Sequence, residues 1–463
     1  MEEEVWQELF VTRAHTVKWL PNLRALRWLV HSDSALRKIM LFIHCPITEL
    51  TVRLPAVLSP SHWKVFCENI EIYKPELKIL ELRIHVVEPE SVEAVAYLFT
   101  VLQYLQAVIF PPSHISATAL HALSSKSELK SIHAVSHAAV DDDDDDEDFK
   151  VPIHDDTLRE EGLDLQHNSF ATVSDVSIQL PLNVLVESIF IPTCFRSLKT
   201  LFVQTPELED PASIRSFCIC ARDNLPRVAE LSLDISDRFT SVSERSVPDP
   251  LSPSVFEPLF ALDLRAFSFG GDCKLDIGDN DLLKMANAWP NLQKLYLNPS
   301  FLISSWPPTS QISLSACSEL NRRCPRIQEL GLHLDTSHVK KAALVSDPFS
   351  RLTRLEVGFS EVKDPMATAV YLCEMMAACT KQPKIVYAAH WFKSDSMQID
   401  GAVASPLEKE LEARRQAWKH IDESLLPAMF YYTSQLYGRD FANHLRQKSM
   451  TNGHTNNIAN ERL

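Results

Sequence analysis

The residues whose spacing best suits metal chemistry are His133, His137 and Asp141, which stand four residues apart. On a helix all three would share one face, and their imidazole and carboxylate groups could bind a divalent metal. However, apolar residues at positions 132 and 134 alternate with His133, and a period of two is typical of a β-strand. A strand places His133 on its exposed face and His137 in the following turn, so we expect no metal and no cofactor here.

The ten cysteines do not have the spacing of a zinc site or of a disulfide framework. Cys218 and Cys220 form a CxC pair, Cys317 and Cys324 are seven residues apart, and no CxxC pair occurs. Ten cysteines in a chain of 463 residues are also too few for a disulfide scaffold. We therefore predict free cysteines that are buried in helices.

Motifs for nucleotide binding and for hydrolysis are missing, since the chain contains only nine glycines. No GxxxxGK, GxGxxG or GxSxG sequence occurs, which argues against nucleotide-dependent enzymes and α/β-hydrolases. No sequence motif groups a nucleophile with a base and an orienting residue, although distant residues can also form a triad. We expect a protein that is not an enzyme, and we predict no catalytic residue.

Negative charge is concentrated in one segment of the chain. The formal net charge is −16, and residues 141–148 form an unbroken run of eight acids. Adjacent like charges repel, and no apolar residue there offsets the entropy of ordering, so we predict a disordered acidic insertion at about residues 138–165. This insertion either keeps the chain in solution or docks a basic partner. The negative balance disfavours nucleic acid as a principal partner.

A repeated phrase, P-x-φ-x-x-L-x-φ with φ apolar, organises the elements that must position any site. Its clear copies have the key residues Leu26, Leu80, Leu231, Leu295 and Leu330. Weaker copies have the key residues Leu50, Leu105, Ile132, Val176, Leu201, Phe267, Leu355 and Ile385. Alternation after each key residue predicts a short strand, and the intervening segments have helical spacing. Stacked units of this kind share one sheet, which predicts an irregular α/β solenoid, a curved horseshoe with parallel strands on its concave face and helices outside.

These phrases resemble leucine-rich repeats. The pattern L-x-x-L-x-L recurs from Leu77 to Leu82, from Leu292 to Leu297 and, with isoleucine in first place, from Ile327 to Leu332. Cys45-Pro46 and Cys324-Pro325, each just before a predicted strand, resemble the cysteine-type variant of the repeat found in F-box proteins. In that family the repeats capture a protein that is destined for ubiquitination.

Two further segments, Trp6 to Leu20 and Ser59 to Leu82, are similar to the opening repeats of fungal F-box proteins. The F-box itself, a helical segment that opens with Leu-Pro, is not found before the repeats. A partial match from Leu180-Pro181 to Phe190 lies between two predicted strands, where a repeat needs its helix, so we interpret it as that helix. We expect either a fragment of a longer gene product or an F-box-like protein that has lost its docking module.

The predicted partner-binding site is the set of strand side chains that point outward between the buried positions. This set comprises Arg27, Arg53, Glu81, Arg83, His85, Gln204, Asp234, Tyr296, Asn298, His333 and Glu356. Its first three strands lean basic, which indicates an acidic or phosphorylated ligand bound through arginine side chains near the N-terminal end. The alternative interpretation is an ordinary solvated face that carries charges.

A helix is predicted to follow the repeats. Ser405-Pro406-Leu407-Glu408 is a capping box with proline at the first helical position, and Pro427 should kink or break the helix near Leu426. We therefore predict a solenoid over residues 1–390, a C-terminal helical cap over residues 391–448 and a disordered tail over residues 449–463. The alternative role of the helix is to bind a partner.

The expected function is protein recognition in the cytoplasm or nucleus. The first residues, Met1-Glu2-Glu3-Glu4, lack the basic start of a secretory signal, and no apolar region reaches the ~20 residues of a membrane-spanning helix. The family resemblance implies the substrate-binding part of an F-box-type ubiquitin-ligase adaptor, with a Skp-type adaptor and a cullin as partners if an F-box lies upstream. The alternatives are a stand-alone repeat scaffold or inhibitor and, third, an enzyme with its site on the repeat edges.

Overall fold

The computed structural model describes residues 20–30, 32–54, 60–74, 76–84, 89–135, 165, 168–192, 194–235, 250–299, 312–337, 347–379, 381–387 and 406–430. The chain divides into two compact units. The first comprises residues 1–228 and 237–239, and the second comprises residues 229–236 and 240–463.

Seven parallel strands form the sheet of the first unit in chain order. They are β1 (Ala25–Leu29), β2 (Glu49–Leu54), β3 (Ile79–Ile84), β4 (Ala107–Ile109), β5 (Ser131–Ala134), β6 (Asp175–Gln179) and β7 (Thr200–Thr205). Each pairs with the next in parallel, so the key residues of the repeats lie side by side. These key residues are buried from Leu50 onward, and alternate residues of most strands are more exposed, as the period of two requires.

Helices connect the strands of the first unit. They are α1 (Asp33–Ile43), α2 (Pro60–Tyr73), α3 (Pro89–Val101), α4 (Ala117–Ser124), α5 (Leu182–Val184), which a π-turn at Leu185–Ile189 extends, and α6 (Pro211–Asn224). Several of these helices begin at a residue whose side chain accepts hydrogen bonds from the first backbone amides, which have no partner within the helix. The Asp210 carboxylate accepts the amide hydrogens of Ala212 and Ser213, at 2.7 and 2.9 Å.

The second unit repeats the same alternation with six parallel strands. They are β8 (Glu230–Ile235), β9 (Ala266–Gly271), β10 (Lys294–Leu297), β12 (Glu329–Leu332), β14 (Arg354–Gly358) and β15 (Lys384–Tyr387). A separate parallel pair joins β11 (Ile312–Ser313) to β13 (Leu334–Asp335). The helical segments are a 3₁₀ segment at Pro253–Ala261, α7 (Asp279–Ala288), α8 (Leu314–Arg323), α9 (Pro365–Met375) and α10 (Pro406–His420).

A single carbonyl oxygen links successive repeats in both units. The carbonyl of Arg24 accepts the amide hydrogens of Thr48 and Glu49, at 2.8 and 3.0 Å. The carbonyl two residues before the key residue makes the same pair of bonds in later repeats, at Thr48, Lys78, Gln106, Lys130, Ser174, Ala229, Arg265, Gln293 and Gln328. This shared acceptor aligns each strand with the next before the regular sheet pairing begins.

The repeating strand and helix confirm the predicted α/β fold of leucine-rich-repeat type. Leu105 is the exception among the predicted key residues, since Val108 pairs with Leu80 and occupies the key place in β4. The prediction began the L-x-x-φ phrase at Leu102, which makes Leu105 the key residue. The phrase in fact begins at Leu105, three residues before Val108. Leu105 is nevertheless buried, at the place that Leu77 takes in the preceding repeat.

The Leu-Pro segment from residue 180 to residue 190 is the helical part of a repeat, as its position predicted. It contains α5 and the π-turn and lies between β6 and β7. Its apolar side chains are buried, including those of Leu182, Leu185 and Phe190. These side chains therefore form part of the apolar core of the repeat.

The C-terminal helix begins at Pro406, where the capping box predicted its start. The helix does not break at Pro427 and continues to residue 430. Proline has no backbone amide hydrogen to donate, and a π-turn at Ile421–Leu425 accommodates this just before it. The helix packs against α9 and β15 in the second unit. The Trp418 indole nitrogen donates to the carbonyl of Ser360 at 2.8 Å, and Arg414 donates to that of Phe359 at 3.0 Å.

All ten cysteines are free. The prediction that they lie in helices is wrong for five of them, Cys45, Cys194, Cys273, Cys324 and Cys379, which lie in the connections between elements. Eight of them are buried, whereas Cys373 and Cys379 are only partly buried. The acidic run, His137, Asp141 and the predicted tail lie outside the described residues.

Candidate functional site

The outward residues of neighbouring strands stand side by side in each unit, and we call this surface the strand face. In the first unit the row directly after the key residues is Arg27, Thr51, Glu81, Ile109, His133, Ser177 and Phe202. In the second unit the same row is Ser232, Ser268, Tyr296, Gly331, Glu356 and Val386.

The second unit carries a group of neighbouring polar side chains on three adjacent strands, which we call the Tyr296 cluster: Lys294, Tyr296, Glu329, Arg354 and Glu356. The Tyr296 hydroxyl donates to one carboxylate oxygen of Glu329 at 2.7 Å, and the Lys294 ammonium lies 2.8 Å from the other. Arg354 donates to Glu356 at 2.8 Å. Hydrogen bonds therefore join the side chains of β10 and β12, and the bonded pair on β14 lies beside them, with the charge of Arg354 acting on Glu329.

Gly331 provides the space in which the Tyr296 ring lies. A Cβ atom at position 331 would stand 2.2 Å from Cδ1 and 2.8 Å from Cε1 of the ring, far inside van der Waals contact. The two residues are direct partners across the pairing of β10 with β12. The missing side chain of Gly331 thus allows the ring to reach over the sheet toward Glu329.

The electrostatics of the cluster follow from burial and these contacts. Burial raises the pKa of Tyr296 above its usual range, and the hydrogen bond to Glu329 raises it further. Burial acts to raise the pKa of Glu329 as well, but the bonds from Lys294 and Tyr296 outweigh it and lower that pKa. At neutral pH the cluster therefore holds a neutral phenol between charged side chains.

The chemistry of the cluster suits binding. A phenol with a raised pKa is a poor base and a weak nucleophile near neutral pH. Lys294 and Arg354 remain partly exposed, so their charges are accessible, and Tyr296 is half-buried beside them. Such a surface offers donors, acceptors and an aromatic ring in fixed positions, and tyrosine and arginine are residue types that are enriched at protein interfaces.

The strand face of the first unit holds the predicted basic residues. Arg27 is exposed, and Arg53 pairs in register with Arg83. Glu81 accepts hydrogen bonds from Arg83 at 2.6 Å and from Thr51 at 2.9 Å. The charge of Arg83 is therefore balanced within the protein, which weakens the basic character expected of these strands.

His133 lies on β5, as the alternation predicted. Its Nδ1 atom is 2.9 Å from the Ser177 hydroxyl, and its Nε2 atom is 3.8 Å from a carboxylate oxygen of Asp175. Among the residues that the structure describes, no group of three histidine, cysteine or acidic residues is arranged to hold a metal ion.

Two residues of the predicted contact set are buried, so the expectation that they face a ligand is wrong. Gln204 is only 2% exposed and Asn298 only 7%. Asn298 adopts a left-handed backbone conformation with φ of 49° and donates to the carbonyls of Gly271 and Cys273, at 2.9 and 2.8 Å. The side-chain amide therefore stabilises the turn after β9. The polarity of Asn298 did not distinguish this internal role from contact with a ligand.

The remaining predicted residues differ in accessibility. Asp234 and Glu356 are half-buried on the strand face of the second unit, and His85 lies outside the described residues. Burial, together with the nearby charge of Arg414, lowers the pKa of His333 to about 4, so this side chain is neutral at pH 7.

Sequence reasoning missed Lys294, Glu329 and Arg354. They occupy the position just before each key residue, whereas the predicted set counted only positions after it. Aligning the key residues in parallel would have placed these three side by side, because β10, β12 and β14 pair at these positions. The sequence does contain a signal for this contact, because the residue before the key position is basic, acidic and basic in the three successive repeats.

None of the helices within the described ranges is long and apolar enough to cross a membrane.

Comparisons with known proteins give little similarity at the level of sequence. No protein-family model matches the chain, and no curated protein matches it. Among solved structures, the chain is similar to one described as the crystal structure of the Rad7 and Elc1 complex in yeast, with 15% sequence identity and a TM-score of 0.43. That similarity covers 77% of this chain and 83% of the other.

Proposed function

We propose that the strand face binds a protein ligand and that the chain acts as a recognition subunit without catalysis of its own. The Tyr296 cluster is the observation that carries this proposal. It brings an aromatic ring, two cations and two carboxylates together on three neighbouring strands, and hydrogen bonds within the cluster hold these side chains in place before any ligand arrives. Binding then costs less side-chain entropy than it would on an unconnected surface.

The more specific proposal is that this recognition serves an F-box-type ubiquitin ligase, with a Skp-type adaptor and a cullin as partners. Its support is the resemblance of the repeats to those of F-box proteins. Cys324 of the Cys324-Pro325 motif is buried at the end of α8, and its thiol contacts the carbonyls of Ala286 and Trp289, at 3.5 and 3.3 Å. The cysteine of this motif therefore packs against the preceding repeat.

The second candidate is a stand-alone scaffold or inhibitor with no ligase. The burial of the Leu-Pro segment from residue 180 to residue 190 favours it, because those side chains pack inside the repeat and are not accessible to an adaptor.

The test uses the full chain as bait in quantitative affinity capture, with Arg354→Glu as the variant. Arg322→Glu is the matched control, because Arg322 on α8 is also partly exposed and also bonds a carboxylate, that of Glu319. We expect a ligand that the wild-type chain and the Arg322 variant capture and that the Arg354 variant loses by about tenfold, the factor that corresponds to one broken interface contact. Equal capture by all three would refute binding at the strand face.

The same captures separate the two candidate functions. Co-purification of a Skp-type adaptor and a cullin, together with accumulation of the ligand when the chain is depleted, supports the ligase function. A ligand that binds without adaptor or cullin, and whose abundance does not respond to depletion, supports the scaffold and rejects the ligase.

A further inference from the structure

The helical side of the first unit carries an apolar patch that the strand-face function does not use. Among the described residues, half of the large hydrophobic side chains that are exposed lie between residues 65 and 104. They are Val65, Ile72, Tyr73, Tyr97 and Tyr104. We call this surface the α2–α3 patch.

The patch lies on two helices that pack against each other, with Tyr104 just after the end of α3. Val65, Glu68 and Ile72 follow one another at helical spacing on the exposed side of α2. On α3, the Tyr97 hydroxyl donates to the carboxylate of Glu71 on α2. Val65, Ile72, Tyr97 and Tyr104 are each between 43% and 66% exposed, although each belongs to a well-packed repeat.

Acidic side chains are interleaved with this apolar surface. Glu68 and Glu93 are exposed, and Glu71 lies beside Tyr97. The exposed base on the described part of these two helices is Lys64. Three carboxylates against one ammonium give the patch a negative potential, which is attractive to a cationic ligand.

We propose that the α2–α3 patch binds a basic amphipathic helix of a partner protein. The aliphatic and aromatic side chains of the patch suit the apolar stripe of such a helix, and the three carboxylates suit its flanking lysine or arginine residues. A second copy of this chain fits poorly, since it would set the same carboxylates against one another and carries a net charge of −16 itself.

The binding test uses the full chain and a fluorescent helical peptide of about 15 residues, long enough to form a helix. Its leucines stand at helical spacing and its other residues are lysine. A second peptide has the same leucines with glutamate in place of lysine. We expect saturable binding of the Leu/Lys peptide and at least about tenfold weaker binding of the Leu/Glu peptide, because only the first complements the carboxylates.

Variants locate the binding site. Ile72→Ser combined with Tyr97→Ser should weaken binding of the Leu/Lys peptide by about tenfold or more, and Glu68→Lys should weaken it as well. The matched control is Met366→Ser combined with Val370→Ser, which removes two similarly exposed side chains from α9. A second control replaces Asp141 to Asp146 by asparagine and so removes most of the acidic run. Both of these controls should bind the Leu/Lys peptide as the wild-type chain does.

Several results would overturn the proposal. These are failure of the Leu/Lys peptide to bind, equal binding of both peptides, and unchanged binding by the Ile72 and Tyr97 variant. Dimerisation in sedimentation velocity that this variant abolishes would identify a second copy as the occupant. Flotation with neutral lipid vesicles that the same variant abolishes would identify a membrane surface. The strand face plays no part in these measurements, so their failure leaves the proposed function untouched.

Discussion

At the scale of single residues, the contact between Gly331 and Tyr296 determines whether the strand-face cluster can form. We expect Gly331→Ala to lower the free energy of unfolding by about 1–3 kcal/mol, because the new methyl group would overlap the ring and force it to move. Chemical denaturation of the purified chain measures this cost.

The Tyr296→Ala background is the control for this effect. With the ring absent, the methyl group at position 331 has space, and Gly331→Ala should then cost less than about 0.5 kcal/mol. An equal cost in both backgrounds would show that the glycine is needed for its backbone and not for the ring.

His114 predicts a pH dependence of stability. Its ring lies fully buried between the hydroxyls of Ser91 and Ser113, each at 3.1 Å, and burial lowers its pKa from 6.5 to about 4. Between pH 6.5 and pH 4, His114 is therefore protonated in the unfolded chain but not in the folded chain. Stability is fully present above pH 6.5 and falls as the pH decreases to 4, by about 3 kcal/mol from this residue.

The measurement is the midpoint of urea unfolding between pH 7 and pH 4. His114→Gln can still form hydrogen bonds but does not titrate, so its midpoint should fall less steeply over this range even though the variant is less stable at pH 7. If both proteins lose stability in parallel, His114 does not cause the loss.

At the scale of elements, the attachment of α10 depends on Trp418. This side chain is fully buried, and its indole nitrogen donates to the carbonyl of Ser360. We expect Trp418→Ala to cost about 3–5 kcal/mol, whereas Trp418→Phe should cost less because it keeps most of the apolar contact. Amide hydrogen exchange in Arg354–Gly358 and Lys384–Tyr387 would report the loosening of the strands near the helix.

Lys409→Ala is the control in the same helix, since Lys409 is exposed. It should leave hydrogen exchange in β14 and β15 unchanged. If Trp418→Ala also leaves it unchanged, α10 does not stabilise these strands.

The order of the elements could be predicted from sequence because each strand carries a key apolar residue at a recurring spacing. The prediction erred where that signal was ambiguous. Leu102, Leu105 and Val108 are three residues apart, so two phases of the L-x-x-φ phrase fit the same segment. Only the pairing of Leu80 with Val108 resolves them, and pairing depends on neighbouring strands that a local pattern does not contain.

The site was less predictable than the fold for a related reason. Strand alternation assigned Gln204 and Asn298 to the exposed face, but both are buried. The contacts of Asn298 are to a turn 25 to 27 residues earlier in the chain, which a local pattern does not contain. The Tyr296 cluster depends on side chains from three repeats and on the space left by Gly331, which carries no functional group. Tyr296 and Glu356 could be proposed from their own positions, whereas their contacts could not.

At the scale of the whole molecule, the repeats predict that the chain tolerates the loss of one complete unit. Deleting residues 108–131 joins Ala107 to Ile132 and leaves the Gln106 carbonyl where that of Lys130 stood, ready to accept from Ser174 and Asp175. We expect a folded protein with cooperative but weaker thermal unfolding, since stability in repeat proteins is a sum over neighbouring units. Circular dichroism measures the transition.

Deletion of residues 108–119 is the matched control, because it removes half of the same repeat. It joins Ala107 to Leu120, which belongs to α4, and so leaves β4 without its key residue. This variant should lose cooperative unfolding. Similar behaviour of the two deletions would mean that the repeat is not the unit of stability.

The shared carbonyl has a consequence for how this chain can change over evolutionary time. It fixes the alignment of repeats at one point of each strand, while the chain between those points is free to vary, from 24 residues between Leu26 and Leu50 to 44 between Ile132 and Val176. Closing a longer loop costs little, about 0.6 kcal/mol for each doubling of its length. Gene duplication and in-frame insertion can therefore add material between strands without disturbing their alignment, and the acidic run occupies the longest of these intervals.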